Sequence, residues 1–313
     1  MSLSFLASFF HRQLISYPAR IPPTPSLSRK TMIITGANTG LGYSSASTLL
    51  SLGTHRVILA VRALSKGEAA AVRLRTETRC PPDAVEVWEL DMGSYASVLA
   101  FAERAKGLER LDACIANAGV RMAEFKLAAG DGGRGHEETI TTNVISTFLL
   151  AFLLHSILAA SSVRFPGDGP AYFSIVSSEL YLMAKFTESD AVEGKIFAAF
   201  DDEKGTNLSD RYNVSKLLVN LMVRQMAGMA PLKLKGRRGG GSGGDVGAGD
   251  VVINCTAPGY VWTFLSLRTC STPSVALYLN QEKPMHALAP STSPTTQKVD
   301  RSRLSSPTAR NPI

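Results

Sequence analysis

The stretch Thr35-Gly36-Ala37-Asn38-Thr39-Gly40-Leu41-Gly42 restricts what this chain can fold into more than any other. It follows a short apolar run, Met32-Ile33-Ile34, and opens into 43–50, which reads as helix. A strand, a glycine turn and a helix in that order form a phosphate cradle. Glycine permits positive φ and lets the backbone approach a pyrophosphate, while the helix N-terminus offers unpaired N–H groups and a positive dipole end. The spacing is Gly-x3-Gly-x-Gly, not Gly-x-Gly-x2-Gly, so the glycines alone do not identify a nucleotide site.

From Thr31 onward, apolar runs alternate with helical stretches. Strand-like runs fall at 31–35, 57–61, 85–90, 111–116, 171–177 and 251–255, and helical stretches near 41–52, 66–79, 94–106, 136–160 and 209–229. Short apolar strands separated by helices predict a doubly wound, Rossmann-like α/β domain whose mostly parallel sheet is covered on both faces. Ligands of such sheets sit beyond the carboxyl ends of the strands, where the strand order reverses. The domain is expected over 31–263, between an N-terminal extension at 1–30 and a low-complexity tail at 264–313.

The net charge of +7 raises a nucleic-acid or membrane reading, and its location removes the first. Residues 1–30 and 264–313 carry +4 each, which leaves −1 for the domain between them. A nearly neutral domain has no basic face for nucleic acid. Residues 1–30 hold an apolar stretch too short to span a bilayer, followed by a proline-rich segment. It reads as a packed or surface-lying extension, with a mitochondrial presequence or a secretory signal as alternatives. The segment 233–249 (KLKGRRGGGSGGDVGAG) reads as a mobile, solvated loop. In 264–313, 14 of 50 residues are Ser or Thr, six are Pro, and no apolar face repeats after Leu288, so most of the tail reads as disordered.

The cysteines Cys80, Cys114, Cys255 and Cys270 lack metal-ligand spacing, and no metal is expected. Cys114 and Cys255 fall in strands expected to be buried, where a thiol packs as a small hydrophobe. A reducing, cytoplasmic location is the simplest reading. Val144–Ala160 is almost wholly apolar and about as long as a short membrane span, but Ser146, Thr147, His155 and Ser156 interrupt it. A helix apolar all round is equally at home buried in a core or an interface, and that is the expectation here.

Tyr212 and Lys216 stand four apart in Asp210–Leu218, which puts both on one face of a helix. An ammonium beside a phenol favours the phenolate and lowers a pKa that starts near about 10, so that tyrosine can act as acid or base. Taken alone, the pair is commonplace on helix surfaces. Here it follows the glycine cradle, Asp91, Ala116-Asn117-Ala118-Gly119, Asn143 and Ser178, in that order. Together these residues resemble the short-chain dehydrogenase/reductase family, especially its retinol-dehydrogenase-like and fungal branches, over about 31–263.

The resemblance implies roles. Tyr212 would exchange the proton with the substrate oxygen, and Lys216 would lower its pKa and bond the nicotinamide ribose. Ser178 would polarise the substrate oxygen, and Asn143 would hold the water of a proton relay. Gly36, Asn38, Thr39, Gly40, Leu41 and Gly42 would cradle the dinucleotide, with Asp91 at the adenine and Asn117, Ala118 and Gly119 lining the site. Pro258, Gly259, Val261 and Thr263, in Pro258–Thr263, match the family's Pro-Gly-x3-Thr segment beside the nicotinamide. Alanine stands at 116 and at 257 where asparagine is common in the family. Arg62, at the end of the second strand with no acid before Glu68, favours NADP(H) over NAD(H) by receiving a 2′-phosphate.

Ser178 and Tyr212 are 34 positions apart, a longer gap than many relatives have, and the extra residues resemble the longer loop of the fungal branch. The expected activity is NADP(H)-dependent hydride transfer to or from an apolar ketone, aldehyde or alcohol, in a homodimer formed through 144–160. Family members usually close the substrate site with helices and a last strand after the Pro-Gly segment, and 264–313 shows neither pattern. The alternative is therefore a non-catalytic dinucleotide-binding protein that has lost its substrate lid, with weak or absent turnover.

Overall fold

The computed structural model describes residues 27–129, 135–228 and 251–258. The expectations for 1–26, for the 233–249 loop and for the tail from Gly259 onward lie outside the described residues.

Six parallel strands form one sheet in the order β3-β2-β1-β4-β5-β6. They are β1 (Thr31–Thr35), β2 (Arg56–Val61), β3 (Val85–Glu89), β4 (Ala113–Ala116), β5 (Ala171–Val176) and β6 (Val251–Thr256). The principal helices are α1 (Gly40–Ser51), α2 (Leu64–Thr78), α3 (Tyr95–Ala105), α4 (Glu138–Arg164), α5 (Ile196–Phe200) and α6 (Leu208–Gly228). The doubly wound reading holds, and each expected strand and helix falls within a few residues of its place, while α5 was not expected.

The alternation along each strand decides which helices it meets. Met32 and Ile34 of β1, with Val57, Leu59 and Val61 of β2, pack with Leu49 and Leu50 of α1 and Leu74 of α2. Ile33, Ile58 and Ala60, one position out of step, face Phe101 of α3, Leu150, Leu154 and Leu158 of α4, and Val219 and Val223 of α6. Both faces are therefore buried, and the strands read as continuous apolar runs. The order reverses between β1 and β4, where Met32 pairs with Ala113 and Ile34 with Ile115. That reversal opens a crevice beyond Thr35 and Ala116.

Helix α4 is long and apolar enough to cross a membrane by length and composition, yet half of its most apolar window is buried inside the fold. Its buried residues belong to the core just described, as expected. Burial of His155 without a partner for Nε2 pushes its pKa down, which suits a core imidazole. One expectation is corrected. Cys114 is fully buried, and desolvation pushes its thiol pKa up, but Cys255 is only half-buried. The reason is position: β6 pairs with β5 alone among the described residues.

Candidate active site

The cradle is built by backbone geometry that glycine makes cheap. Gly36 and Gly40 have φ of +66° and +59°, in the left-handed region. Gly42 is required for a different reason: a Cβ there would lie 2.6 Å from both Asn117 Nδ2 and Gly36 O. Thr39 precedes α1 without a side-chain cap, and the first turn holds no acid. The N-terminal N–H groups of α1 thus retain their capacity for an anion.

Asn117 ties the neighbouring loop to this turn. Its Nδ2 donates to Thr35 O at 2.9 Å and, more weakly, to Gly36 O at 3.4 Å, while Ala118 N donates to Thr35 Oγ1 at 2.8 Å. Asp91 lies just past β3, where its Oδ1 accepts from Gly93 N at 2.9 Å and its own N–H donates to Ser97 Oγ. Arg62 is exposed just past β2, with no hydrogen bond or ion pair among the described residues. A glycine turn and an uncapped helix N-terminus fit the pyrophosphate of a dinucleotide.

The catalytic candidates converge at the carboxyl end of β5. Ser178 follows that strand and begins the 3-10 turn Glu179–Met183, where its Oγ accepts from Leu180 N at 3.3 Å. Ser178 is thus the N-terminal cap of that turn. The same side chain lies near enough to the Tyr212 phenol to oppose the upward shift of its pKa. Lys216, one helical turn beyond Tyr212, is buried and donates from Nζ to Val176 O at 2.8 Å. Its Nζ stands 5.6 Å from the centre of the Tyr212 ring. Asn143 lies in a π-helical turn, Thr141–Ile145, within α4. Gly119 closes the group, since a Cβ there would lie 3.1 Å from Asn143 Oδ1 and 3.6 Å from Lys216 Nζ.

Comparison with known proteins bears on this arrangement. A family model described as short chain dehydrogenase matches residues 30–162. The short chain dehydrogenase/reductase mfmJ of Annulohypoxylon moriforme is 40% identical over 258 residues, 82% of this chain and 67% of that protein. The short chain dehydrogenase sol3 of Alternaria solani is 36% identical over 276 residues, 88% of this chain and 87% of its own length. The chain belongs to the short-chain dehydrogenase/reductase family. A solved structure of a short chain dehydrogenase from Escherichia coli CFT073 shares the fold, with a TM-score of 0.50 and 20% identity over 76% of this chain and 84% of that one.

The dehydrogenase fold thus brings Gly36, Asn117, Gly119, Asn143, Ser178, Tyr212 and Lys216 to one end of the sheet. Pro258 follows β6, while Gly259, Val261 and Thr263 lie outside the described residues. The side chain of Asn143 works as a clamp: Nδ2 donates to Val120 O at 2.9 Å and to Ser215 Oγ at 3.0 Å, and Oδ1 accepts from Val120 N at 2.8 Å. Both amide protons are committed to protein. Ser215 Oγ in turn donates to Tyr212 O at 2.7 Å, so one chain of bonds runs from the loop after β4 to the tyrosine backbone.

The expected electrostatics need correction. Burial raises the Tyr212 pKa, and the influences that oppose it are the nearby Ser178 side chain and the charge of Arg121. Lys216 Nζ stands 5.6 Å from the centre of the Tyr212 ring, and burial pulls its own pKa down to about 8.

Arg121 itself was not legible in the sequence; its Cζ lies 5.9 Å from the centre of the Tyr212 ring. A second group without a motif is Arg211, directly before Tyr212. It is 1% exposed, its Nη1 lies 3.1 Å from Glu188 and its Nε 3.7 Å from Glu137, and its guanidinium stacks on Phe200 at 4.7 Å. Through Phe200, Thr206 and Glu188 it gathers the long segment between Ser178 and Tyr212. Asp210 helps by accepting from Lys185 N and Phe186 N, the latter residue at φ +51°. A run of charged residues in sequence gives no sign of which ones will be buried.

Proposed function

We propose that this protein is an NADP(H)-dependent oxidoreductase that interconverts a carbonyl compound and an alcohol. The observation that carries the reading is the grouping of Tyr212 with Ser178 and Lys216, the lysine bonded to the end of β5 and standing beside Gly119, at the carboxyl ends of the strands. When bound, the nicotinamide supplies or accepts the hydride. Gly36, Asn38, Thr39, Gly40, Leu41 and Gly42 would hold its phosphates, Asp91 its adenine, and Asn117, Ala118 and Gly119 the wall of the crevice. Arg62 would receive the 2′-phosphate, for which an exposed guanidinium without an acidic partner is suited.

On the substrate side, Ser178 Oγ and Tyr212 Oη would hydrogen-bond one oxygen. In reduction, Tyr212 Oη gives its proton to that oxygen as the oxygen becomes an alkoxide; in oxidation, it takes the proton back. Lys216 would bond the ribose and meet the negative charge left on Tyr212. Leu182 and Met183, 52% and 37% exposed in the turn after Ser178, favour an apolar substrate body. Leu99 of α3 and Phe152 of α4, both about half exposed on packed helices, support a homodimer through that face. A Phe152→Asp variant that still sediments as a dimer would refute that assembly.

The reading is tested by following NADPH oxidation against a panel of ketones and aldehydes, alongside a fluorescence titration of NADPH. Turnover with at least one substrate, lost on Tyr212→Phe, is expected. Tight binding without turnover across the panel would favour the non-catalytic alternative.

A further inference from the structure

Most arginines among the described residues are spoken for. Arg29, Arg56, Arg73, Arg110, Arg164 and Arg211 each hold a carboxylate, Arg75 donates to two carbonyls, and Arg104 stacks on Trp88. Arg62, Arg79, Arg121 and Arg224 have no carboxylate or carbonyl partner among the described residues, although Arg121 stands over the Tyr212 ring. Arg79 follows α2 and Arg224 lies three turns past Tyr212 on α6, both exposed or half-exposed away from the cradle. Arg62 belongs to the cofactor end. That leaves Arg121 at the catalytic end, exposed, with its Cζ 5.9 Å from the Tyr212 ring centre.

Its backbone is not free to wander. Val120, immediately before it, has both its N–H and its C=O held by the Asn143 side chain at 2.8 and 2.9 Å. The arginine therefore springs from a point anchored to the π-turn of α4, beside the reacting groups. Glu124, three residues on, forms no ion pair with it, and Lys126 rather than Arg121 pairs with Glu138, at 3.0 Å. A guanidinium kept open beside a catalytic tyrosine has the donor fork that a carboxylate needs. The turn after Ser178 opens with Glu179 and presents Leu182 and Met183 at its far end.

Resting on the oxidoreductase reading above, we infer that Arg121 is the specificity-determining residue, and that the substrate is an amphipathic carbonyl compound carrying a carboxylate near its reacting centre. The carboxylate would take the Arg121 fork, the apolar body would lie toward Leu182 and Met183, and the carbonyl oxygen would reach Ser178 and Tyr212. Stacking of the Arg121 cation on the tyrosine alone would give no preference among substrates. Capture of a cofactor phosphate would show itself in NADPH affinity.

The test compares aromatic 2-oxo and 3-oxo acids with their methyl esters, which keep the shape and remove the charge. Binding to the protein–NADPH complex is read by fluorescence, and kcat/KM is read separately. The wild type is expected to favour acid over ester, and Arg121→Gln to lower that ratio about tenfold or more, chiefly through KM. Arg224→Gln should leave the ratio as in the wild type. An unchanged acid-to-ester ratio in Arg121→Gln overturns the inference, as does a loss confined to NADPH affinity. Acid-selective, Arg121-dependent binding without turnover would sustain it while sinking the proposed activity, so the two failures are distinguishable.

Discussion

Lys216 Nζ donates to Val176 O at 2.8 Å and so pins the helix that carries Tyr212 to the carboxyl end of β5. The bond fixes the distance between the tyrosine and the strand that delivers Ser178. It also places an ammonium in a site where it is 5% exposed, and the stability of the fold should register that burial.

Burial lowers the Lys216 pKa from 10.5 to about 8. Below about pH 8 the lysine is charged in both folded and unfolded states, and the folded state bears the desolvation. Between about pH 8 and 10.5 the unfolded chain holds more protons, so this group makes the fold more stable as pH rises. Relative to Lys216→Met, the wild type should gain about 3 kcal/mol across that window, at about 1.36 kcal/mol for each pH unit between the two pKa values. Urea titrations at both ends of the window measure it; a constant difference would show that Lys216 titrates normally.

Tyr212→Phe should reduce turnover by about 10²–10⁴-fold, the usual worth of general acid–base catalysis, with NADPH affinity nearly unchanged. Removal of the hydroxyl deprives the substrate oxygen of its proposed proton source. Retention of more than about a tenth of the wild-type rate would assign the proton to another group.

Arg62→Ala should weaken NADPH at least about tenfold while sparing NADH, since a charge-assisted bond to phosphate is worth about 1.5–3 kcal/mol. Isothermal titration of both cofactors gives the comparison directly. Equal weakening would remove Arg62 from the 2′-phosphate.

Arg211→Met should destabilise the protein by about 3–5 kcal/mol, because it leaves the buried carboxylates of Glu137 and Glu188 without their counter-charge. Adding Glu188→Gln should recover part of the loss, as removal of an uncompensated charge would. Thermal melts of the single and double variants decide it. A single variant as stable as the wild type would mean that the two carboxylates are satisfied without Arg211.

The cradle was legible from residues alone, because Gly36, Gly40 and Gly42 serve backbone conformations and approaches that no other residue tolerates well. The strands and helices followed from apolar periodicity, which depends only on neighbours along the chain. Asn117 reached its expected place because its partners, Thr35 O and Gly36 O, lie on the adjacent strand end that the fold class already implies. Other relationships depended on packing between distant segments. Asn143 proved to clamp Val120, 23 positions away, and Arg211 to neutralise Glu137 and Glu188 in a buried knot. Arg121 came to stand over Tyr212, and Cys255 stayed half-buried on the outermost described strand. Spacing within a helix placed Tyr212 and Lys216 on one face, but whether that ammonium lowers the phenol's pKa is set by desolvation and by what each polar atom touches. Local conformational preference writes itself into sequence; the burial of a charge and the identity of its partner are settled only when the chain has closed around them.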